Sequence, residues 1–407
     1  MSSVLPSKPS AAADQPAIST ESARSGAAQL LSAGLLTAIV GFASAFPIVL
    51  QGLRSVGATP GEAASGLLAL CLVQGLLGMW LSLRWRQPIS IAWSTPGAAL
   101  LMSTGLPAGG FPVAVGAFLV AGGLIVVAGL FRPFARAVSA IPMGLANAML
   151  AGVLLELCLA PVHAVGAMPA LALPIVIAWA LAWRFARLYA VPIAVVVTAL
   201  LVIFATPIPP NALADIWPHP IIVAPRFTLA TLVSIALPLF IVTMASQNVP
   251  GLAVLRLNGY QPKVEQIFLS TGLASGVTAL FGGHLVNLAA ITAALSAGPE
   301  AHADPSRRYI AAVTAGASYL VLGLLAGLAA AFITAAPPLL IQAVAGLALL
   351  GSLAAALAAA LTREGERIPV ILTFVTTASG ISFFGIGAAF WGLVAGGLLL
   401  GLNRPRK

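Results

Sequence analysis

Residues Ala92–Leu101 read AWSTPGAALL. Apolar sequence flanks them on both sides. Yet Ser-Thr-Pro-Gly is the vocabulary of a turn and a helix start. The chain of 407 residues is 60% hydrophobic and 7% charged, with a mean hydropathy of +1.05. Soluble domains carry about 25% charged residues, so the chain is read as an all-α polytopic membrane protein. How such a chain accommodates a break at Ser94–Gly97 decides its fold.

Apolar runs long enough to cross a bilayer fall at about 31–53, 63–83, 111–131, 141–162, 168–186, 189–205, 228–253, 265–281, 309–334, 337–361, 368–384 and 386–402. Two shorter runs, 88–103 and 283–298, are broken by Gly or polar residues. Lys and Arg arbitrate whether these cross, because cytoplasmic loops retain them. With fourteen spans and a cytoplasmic N-terminus, Arg54 and Arg226 are the only two of the 19 basic residues left outside. If neither short run crosses, Arg132, Arg136, Arg184 and Arg187 move to the outer face. The net charge of +9 is therefore topological, and no nucleic-acid role follows from it.

Length sets the shape of the short runs. As pure helix, 88–103 reaches only about 24 Å at 1.5 Å per residue, against a hydrocarbon core of about 30 Å. With 88–94 extended and 95–103 helical, it reaches about 37 Å. The same split gives roughly 33 Å for 283–298. Each short run spans only as half strand, half helix.

The chain also repeats. Ala43, Ser44, Leu53, Arg54, Gly57 and Pro60 recur 202 positions later as Ala245, Ser246, Leu255, Arg256, Gly259 and Pro262. Each broken run is the third of its half. Seven spans per half, an odd number, turn the second half upside down, which is the inverted-repeat plan of secondary transporters. The expected organisation is a disordered cytoplasmic tail over 1–28 and a first repeat over 29–205. A periplasmic connection over 206–227, a second repeat over 228–402 and a cytoplasmic C-terminus at 403–407 follow. The tail lacks the apolar region of a signal peptide.

The quoted stretch then has a role. Ser94 or Thr95 caps a half-helix, Pro96 suits its first turn, and Gly97 lets a ligand approach the backbone. Asn287 is the matching cap candidate in the second half, followed by Leu288. Two facing helix N-termini form an anion site without a cationic side chain. A plain kink at Ser-Thr-Pro-Gly would leave the span too short.

Other polar groups at membrane depth are costly and often functional. Gln247 and Asn248 lie in span 8, with helix–helix hydrogen bonding as the alternative role. Ser44 and Phe46 stand at equivalent places in span 1. Phe46 and Trp93 are candidates to stack on an aromatic ring. His284 and Glu156 are the candidate proton carriers, because His titrates near neutrality and burial raises a Glu. His163 lies at the outer end of span 5. The stretch Pro299–Arg308 reads as a capping and salt-bridge cluster on the inner side. Cys71 and Cys158 sit in apolar runs and suggest neither a disulfide nor a metal site.

QPISIAWSTPGAALL at 87–101, PLFIVTMASQNVPGLAVLR at 238–256, NLAAITAAL at 287–295, HADPSRRY at 302–309 and FFGIGAAFWGLVAG at 383–396 resemble the BenE family of benzoate:proton symporters. The resemblance covers about 30–402. The family is distantly similar to the nucleobase–ascorbate transporters and to sulfate-type anion carriers. It implies a core domain of spans 1–4 and 8–11, a gate domain of spans 5–7 and 12–14, and substrate held between spans 3 and 10 beside span 8. The chain departs from the uracil carriers in having no carboxylate at the matching places of spans 8 and 10. Gln247, Asn248, Val286 and Asn287 stand there instead, which suits an anionic substrate.

The reading is an inner-membrane carrier, not an enzyme, importing benzoate or a close aromatic carboxylate with protons and needing no bound cofactor. A carrier of another small anion or of a nucleobase, and an anion channel, are the alternatives. Whether it forms a homodimer stays open.

Overall fold

The computed structural model describes residues 20–131, 142–205, 216–289, 291–383 and 386–402, without the side chains of 20–25 and 291. The expected C-terminus at 403–407, most of the expected tail, half of the 206–227 connection, and Arg132 and Arg136 lie outside the described residues.

The chain is mostly helical. Helices α1 (Thr20–Ser55) and α2 (Pro60–Trp85) lead into strand β1 (Ile91–Trp93) and helix α3 (Thr95–Thr104). Then come α4 (Phe111–Leu130), α5 (Met143–Ala167), α6 (Pro169–Phe185) and α7 (Ala190–Ala205). Helix α8 (Leu229–Leu257) and α9 (Val264–Leu280) precede strand β2 (Val286–Leu288) and helix α10 (Ile291–Ala297). The remainder is α11 (Tyr309–Gly323), α12 (Ala326–Ala335), α13 (Pro338–Ala360), α14 (Arg367–Ala378) and α15 (Ala388–Leu402). Among the described residues, seven helices are long and apolar enough to cross a membrane singly. The pair containing α11 and α12 is an eighth if it counts as one span. It bends by 57° just after Gly323, where Leu324 and Leu325 donate three residues back, to Val321 and Leu322. The sequence had suggested one unbroken span there.

The tail expected over 1–28 is helical from Thr20 onward. Ala-rich sequence favours a helix, and its start is anchored. Leu30 packs with Ala301 and Ala311, and Gln29 Nε2 donates to the Glu300 carbonyl at 3.1 Å.

Small residues set how closely the helices pack. A Cβ on Gly75 of α2 would lie 2.6 Å from the Gly316 carbonyl of α11, and one on Gly272 of α9 would lie 2.7 Å from the Gly122 carbonyl of α4. Helices α2–α11 and α4–α9 are thus joined by the same device. Besides the Leu30 cluster, two further apolar clusters of described residues lie apart from the main core. One joins Ala164 of α5, Ile175 of α6, Ala194 of α7 and Leu340 of α13. The other joins Leu145 of α5, Ala360 of α13, Val370 of α14 and Leu400 of α15.

The two broken runs meet each other. β1 pairs antiparallel with β2 in the register Ile91–Leu288, Ala92–Asn287 and Trp93–Val286. Ser94 N–H donates to the Leu285 carbonyl at 3.0 Å and Ala289 N–H to the Ser90 carbonyl at 2.9 Å, extending the ladder at both ends. Extended chain at membrane depth must have its backbone groups satisfied by protein, and this pairing does so.

Helix α8 carries two π-helical segments, Leu232–Ala236 and Met244–Asn248. Each has a proline close behind it. Pro238 and Pro250 lack the N–H that would return to residues 234 and 246, and the local ladder loosens to bonds five residues apart: Leu237 N–H to Leu232, and Val249 N–H to Met244. Such bulges concentrate at functional sites. The second contains Gln247 and Asn248.

The stretch 299–308, read from the sequence as a capping and salt-bridge cluster, is held by capping. Asp304 accepts from Ser306 N–H at 2.8 Å, and these bonds hold its carboxyl below the usual range. Arg308 donates to the carbonyls of His302, Ala297 and Ala303, so its guanidinium serves backbone carbonyls.

Candidate functional site

Ser94 begins α3 as its N-cap. Its Oγ accepts from Gly97 N–H at 3.2 Å and shares a 2.7 Å hydrogen bond with Thr243 Oγ1 of α8. Pro96 stands in the first turn, where no donor is missed. Gly97 is buried against Leu239 and Ser94, and a Cβ there would lie 2.6 Å from Leu239. The break in the span is therefore a built helix start, tied to α8.

Asn287 is not a cap. It lies within β2 opposite Ala92, and its Nδ2 donates to the Leu288 carbonyl at 2.8 Å. The strand takes this position because the ladder with β1 needs the backbone there extended. Asn248 works across the gap: its Oδ1 accepts from Leu288 N–H at 3.0 Å, and its Nδ2 points to Met244 Sδ. Val286 N–H donates to Ser275 Oγ at 3.0 Å. Leu288 itself is buried against Gly251.

These bonds bear on the anion site. The N–H groups of Gly97, Leu288 and Ala289 are all engaged within the protein. The expectation that they face a ligand is replaced by a smaller donor set.

A cavity of about 160 Å³ opens where the two half-helices begin. Its wall includes Gly41 and Ser44 of α1, Trp93, Thr95, Gln247, Thr292 of α10, Tyr319 of α11 and Ser352 of α13. Ser44 Oγ donates to the Val40 carbonyl at 2.6 Å, which leaves its lone pairs to the cavity. Among the described residues, no hydrogen bond engages the hydroxyls of Thr95, Thr292 or Tyr319. Trp93 packs edge-on to Tyr319 with ring centres 5.9 Å apart, and Phe42 lies 6.0 Å from Trp93. Among the described residues, no ionisable group other than the tyrosine lines this cavity. It can hold a small planar ligand against Trp93 and offer hydroxyl donors to an anionic end.

The structure thus gathers Ser44, Trp93, Thr95 and Gln247 from the residues singled out in the sequence. Phe46 is buried behind them, stacked on Phe42 at 5.3 Å and near Phe332. Ser94, Gly97, Asn248, Asn287 and Leu288 build the scaffold of the wall. Thr292 and Tyr319 are wall residues the sequence did not single out. Tyr319, a polar-tipped aromatic within an otherwise apolar run, was the available signal. Its hydroxyl lies so close to α1 that a Cβ on Gly41 would overlap it.

A larger cavity, about 360 Å³, lies beyond the other end of α3, lined by Thr104, Glu156, Thr231, Ser234, Thr377 and Ser382 among others. It is the roomier of the two, but the strand pair and the uncommitted donors belong to the smaller one. Glu156 is its only ionisable lining residue among those described. His284 is fully buried and lines neither cavity. Its Nδ1 lies 3.2 Å from the Leu285 carbonyl, and its Nε2 has no partner among the described residues. His163 is exposed on α5. Among the described residues no cluster suits a metal ion.

Comparison with known proteins supplies the context. Residues 25–402 match the family model described as BenE, benzoate membrane transport protein. The chain is 40% identical over 368 residues to the inner membrane protein YdcO of Escherichia coli K12, covering 90% of this chain and 94% of that one. It is 31% identical over 364 residues to the benzoate membrane transport protein of Acinetobacter baylyi, covering 89% and 92%. In three dimensions it resembles the transmembrane domain of the cyanobacterial bicarbonate transporter BicA. The TM-score is 0.57 at 16% identity, over 90% of this chain and 97% of that one. It also resembles the murine Solute Carrier 26 family member A9 anion transporter, with a TM-score of 0.58 at 13% identity, over 92% and 68%. At such identities these two likenesses concern the fold.

Proposed function

This chain belongs to the BenE family of benzoate membrane transport proteins, and from that premise we propose that it imports benzoate, or a close aromatic carboxylate, together with protons across the bacterial inner membrane. The observation that carries the reading is the uncharged cavity of about 160 Å³. Ligand pockets commonly measure about 300–1,000 Å³, so this one suits a single small ring. The carboxylate sits at the start of α3 and takes donors from Thr95 and from the Thr292 and Tyr319 hydroxyls. Hydrogen bonds to a charged group contribute about 1.5–3 kcal/mol each. The ring lies against Trp93.

Fourteen spans in two inverted sevens fit this arrangement. The antiparallel β1–β2 pair and the matched glycine contacts of α2–α11 and α4–α9 support such a repeat. In this reading spans 1–4 and 8–11 form the core, and spans 5–7 and 12–14 the gate. Both termini lie in the cytoplasm, where basic residues are retained. The two cavities flank α3, one at each end, and rocking of core against gate opens them in turn.

Proton coupling has a physical purpose. An anion entering a negative-inside cell works against about 2.3 kcal/mol per 100 mV, and one accompanying proton removes that term. In this reading Glu156, which lines the larger cavity, carries it. A charged carboxylate in the outer cavity repels an incoming anion, whereas a protonated one admits it. His284, which reaches neither cavity, serves less well.

Trp93 provides the test. Benzoate added to the purified protein should quench tryptophan fluorescence saturably, and the Trp93→Phe variant should lose that component. Sulfate and uracil should not displace benzoate. Absence of saturable quenching in folded protein, or displacement by sulfate, would overturn the assignment.

A further inference from the structure

Behind the substrate cavity lies a second, much smaller space. It measures about 10 Å³ and is lined by Thr37, Gln74, Ser90, Thr292 and Tyr319 among others. Thr292 and Tyr319 therefore face both spaces, and form the partition between them. Gln74 of α2 is 1% exposed, and among the described residues neither its Oε1 nor its Nε2 has a hydrogen-bond partner. An amide buried without partners is destabilising, so it needs a companion. A cavity of this size, about one probe sphere, holds one water where polar partners surround it.

The surrounding hydroxyls are polarised. Thr37 Oγ1 donates to the Ala33 carbonyl at 2.7 Å. Ser296 Oγ donates to the Thr292 carbonyl at 3.2 Å, so in its 2.7 Å contact with Ser90 the proton comes from Ser90. Thr37 and Ser90 thus have only lone pairs left to offer, and the space asks for a donor. Water is one: it accepts from the Gln74 amide and donates to the surrounding oxygens.

We propose that Gln74 holds one ordered water molecule in this space, and that this water orients the Tyr319 hydroxyl toward the substrate carboxylate. When the water donates to Tyr319 Oη, the phenol proton is free to point into the substrate cavity. Without that donor the phenol proton can turn back into the empty space and present a lone pair to the anion. Gln74 is therefore a positioning residue, acting on a ligand it does not touch. The inference rests on the reading of the larger space as the carboxylate site.

Gln74→Leu removes both amide atoms at nearly constant volume, and Tyr319→Phe removes the hydroxyl. Each should weaken benzoate binding, and raise the KM for uptake, about tenfold, with the maximal rate nearly unchanged. Combined, they should be no worse than Tyr319→Phe alone, because both act through one proton. Gln74→Asn, which keeps an amide and leaves room for water, should recover most of the affinity. A merely structural glutamine would lower the amount of folded protein or the maximal rate and leave KM alone. That result, or additive losses in the double variant, would overturn the inference. A high-resolution experimental map should also show a water between Gln74 and Tyr319. An empty space there, or occupancy that follows added Na⁺, would contradict it even if benzoate proves not to be the substrate.

Discussion

Asn287→Asp should abolish benzoate uptake while the protein still inserts in the membrane. Asn287 is fully buried in β2, and its Nδ2 donates to the Leu288 carbonyl. Its Oδ1 has no partner among the described residues. A carboxylate in this place loses the donor, turns a lone pair on the Leu288 carbonyl, and meets no cation among the described residues. An uncompensated buried charge is destabilising by about 3–5 kcal/mol. Even the lower figure corresponds to more than a hundredfold. The site escapes the charge either by taking up a proton, which becomes harder as the pH rises, or by β2 leaving β1, which dismantles the wall of the substrate cavity. The charge also repels an incoming anion. Uptake of labelled benzoate into proteoliposomes, normalised to the amount of inserted protein, measures the effect. Asn287→Leu separates charge from shape: it loses one hydrogen bond and should retain more activity than the aspartate. Rates near wild type in the aspartate variant would contradict both the buried strand pair and the anion site.

Glu156→Gln should separate benzoate movement from the proton gradient. Among the described residues, Glu156 is the only ionisable group lining the cavity of about 360 Å³. If its protonation admits the anion, a permanently neutral glutamine admits it at any pH. With one proton per anion, an acid-outside gradient of one pH unit concentrates benzoate about tenfold. The variant should reach a ratio near one, while still exchanging internal for external benzoate. The sign follows from the chemistry: wild-type uptake falls as the outer pH rises, and variant uptake does not. A variant that still accumulates benzoate with the gradient would transfer the coupling role to another group.

Much of this was legible in the sequence, because bilayer thickness and the cost of an unsatisfied backbone leave few options. The short run at 88–103 had to be part extended, and α3 begins at Thr95, where Ser-Thr-Pro-Gly signalled a helix start. The recurrence at an offset of 202 and the distribution of Arg and Lys indicated the second broken run. What sequence could not reveal was which polar groups face the ligand and which face each other. Ser94, Asn248 and Asn287 are spent on the scaffold, and no local pattern distinguishes a scaffold amide from a binding one. Tyr319 and Thr292 were missed because they reach the cavity through the packing of α11 and α10 against α1. That packing depends on Gly41 lying beside the Tyr319 hydroxyl. The bend after Gly323 escaped notice because apolar sequence continues through it.

The central claim, proton-driven benzoate import, is tested most directly by the initial rate of labelled benzoate uptake into proteoliposomes. The rate is taken with and without an inward proton gradient, and the flux into protein-free vesicles is subtracted, because protonated benzoic acid crosses lipid unaided. The account predicts saturable uptake that the gradient accelerates and that a protonophore returns to the ungraded rate. Protein-dependent uptake indifferent to the gradient, or none from folded protein, would contradict it.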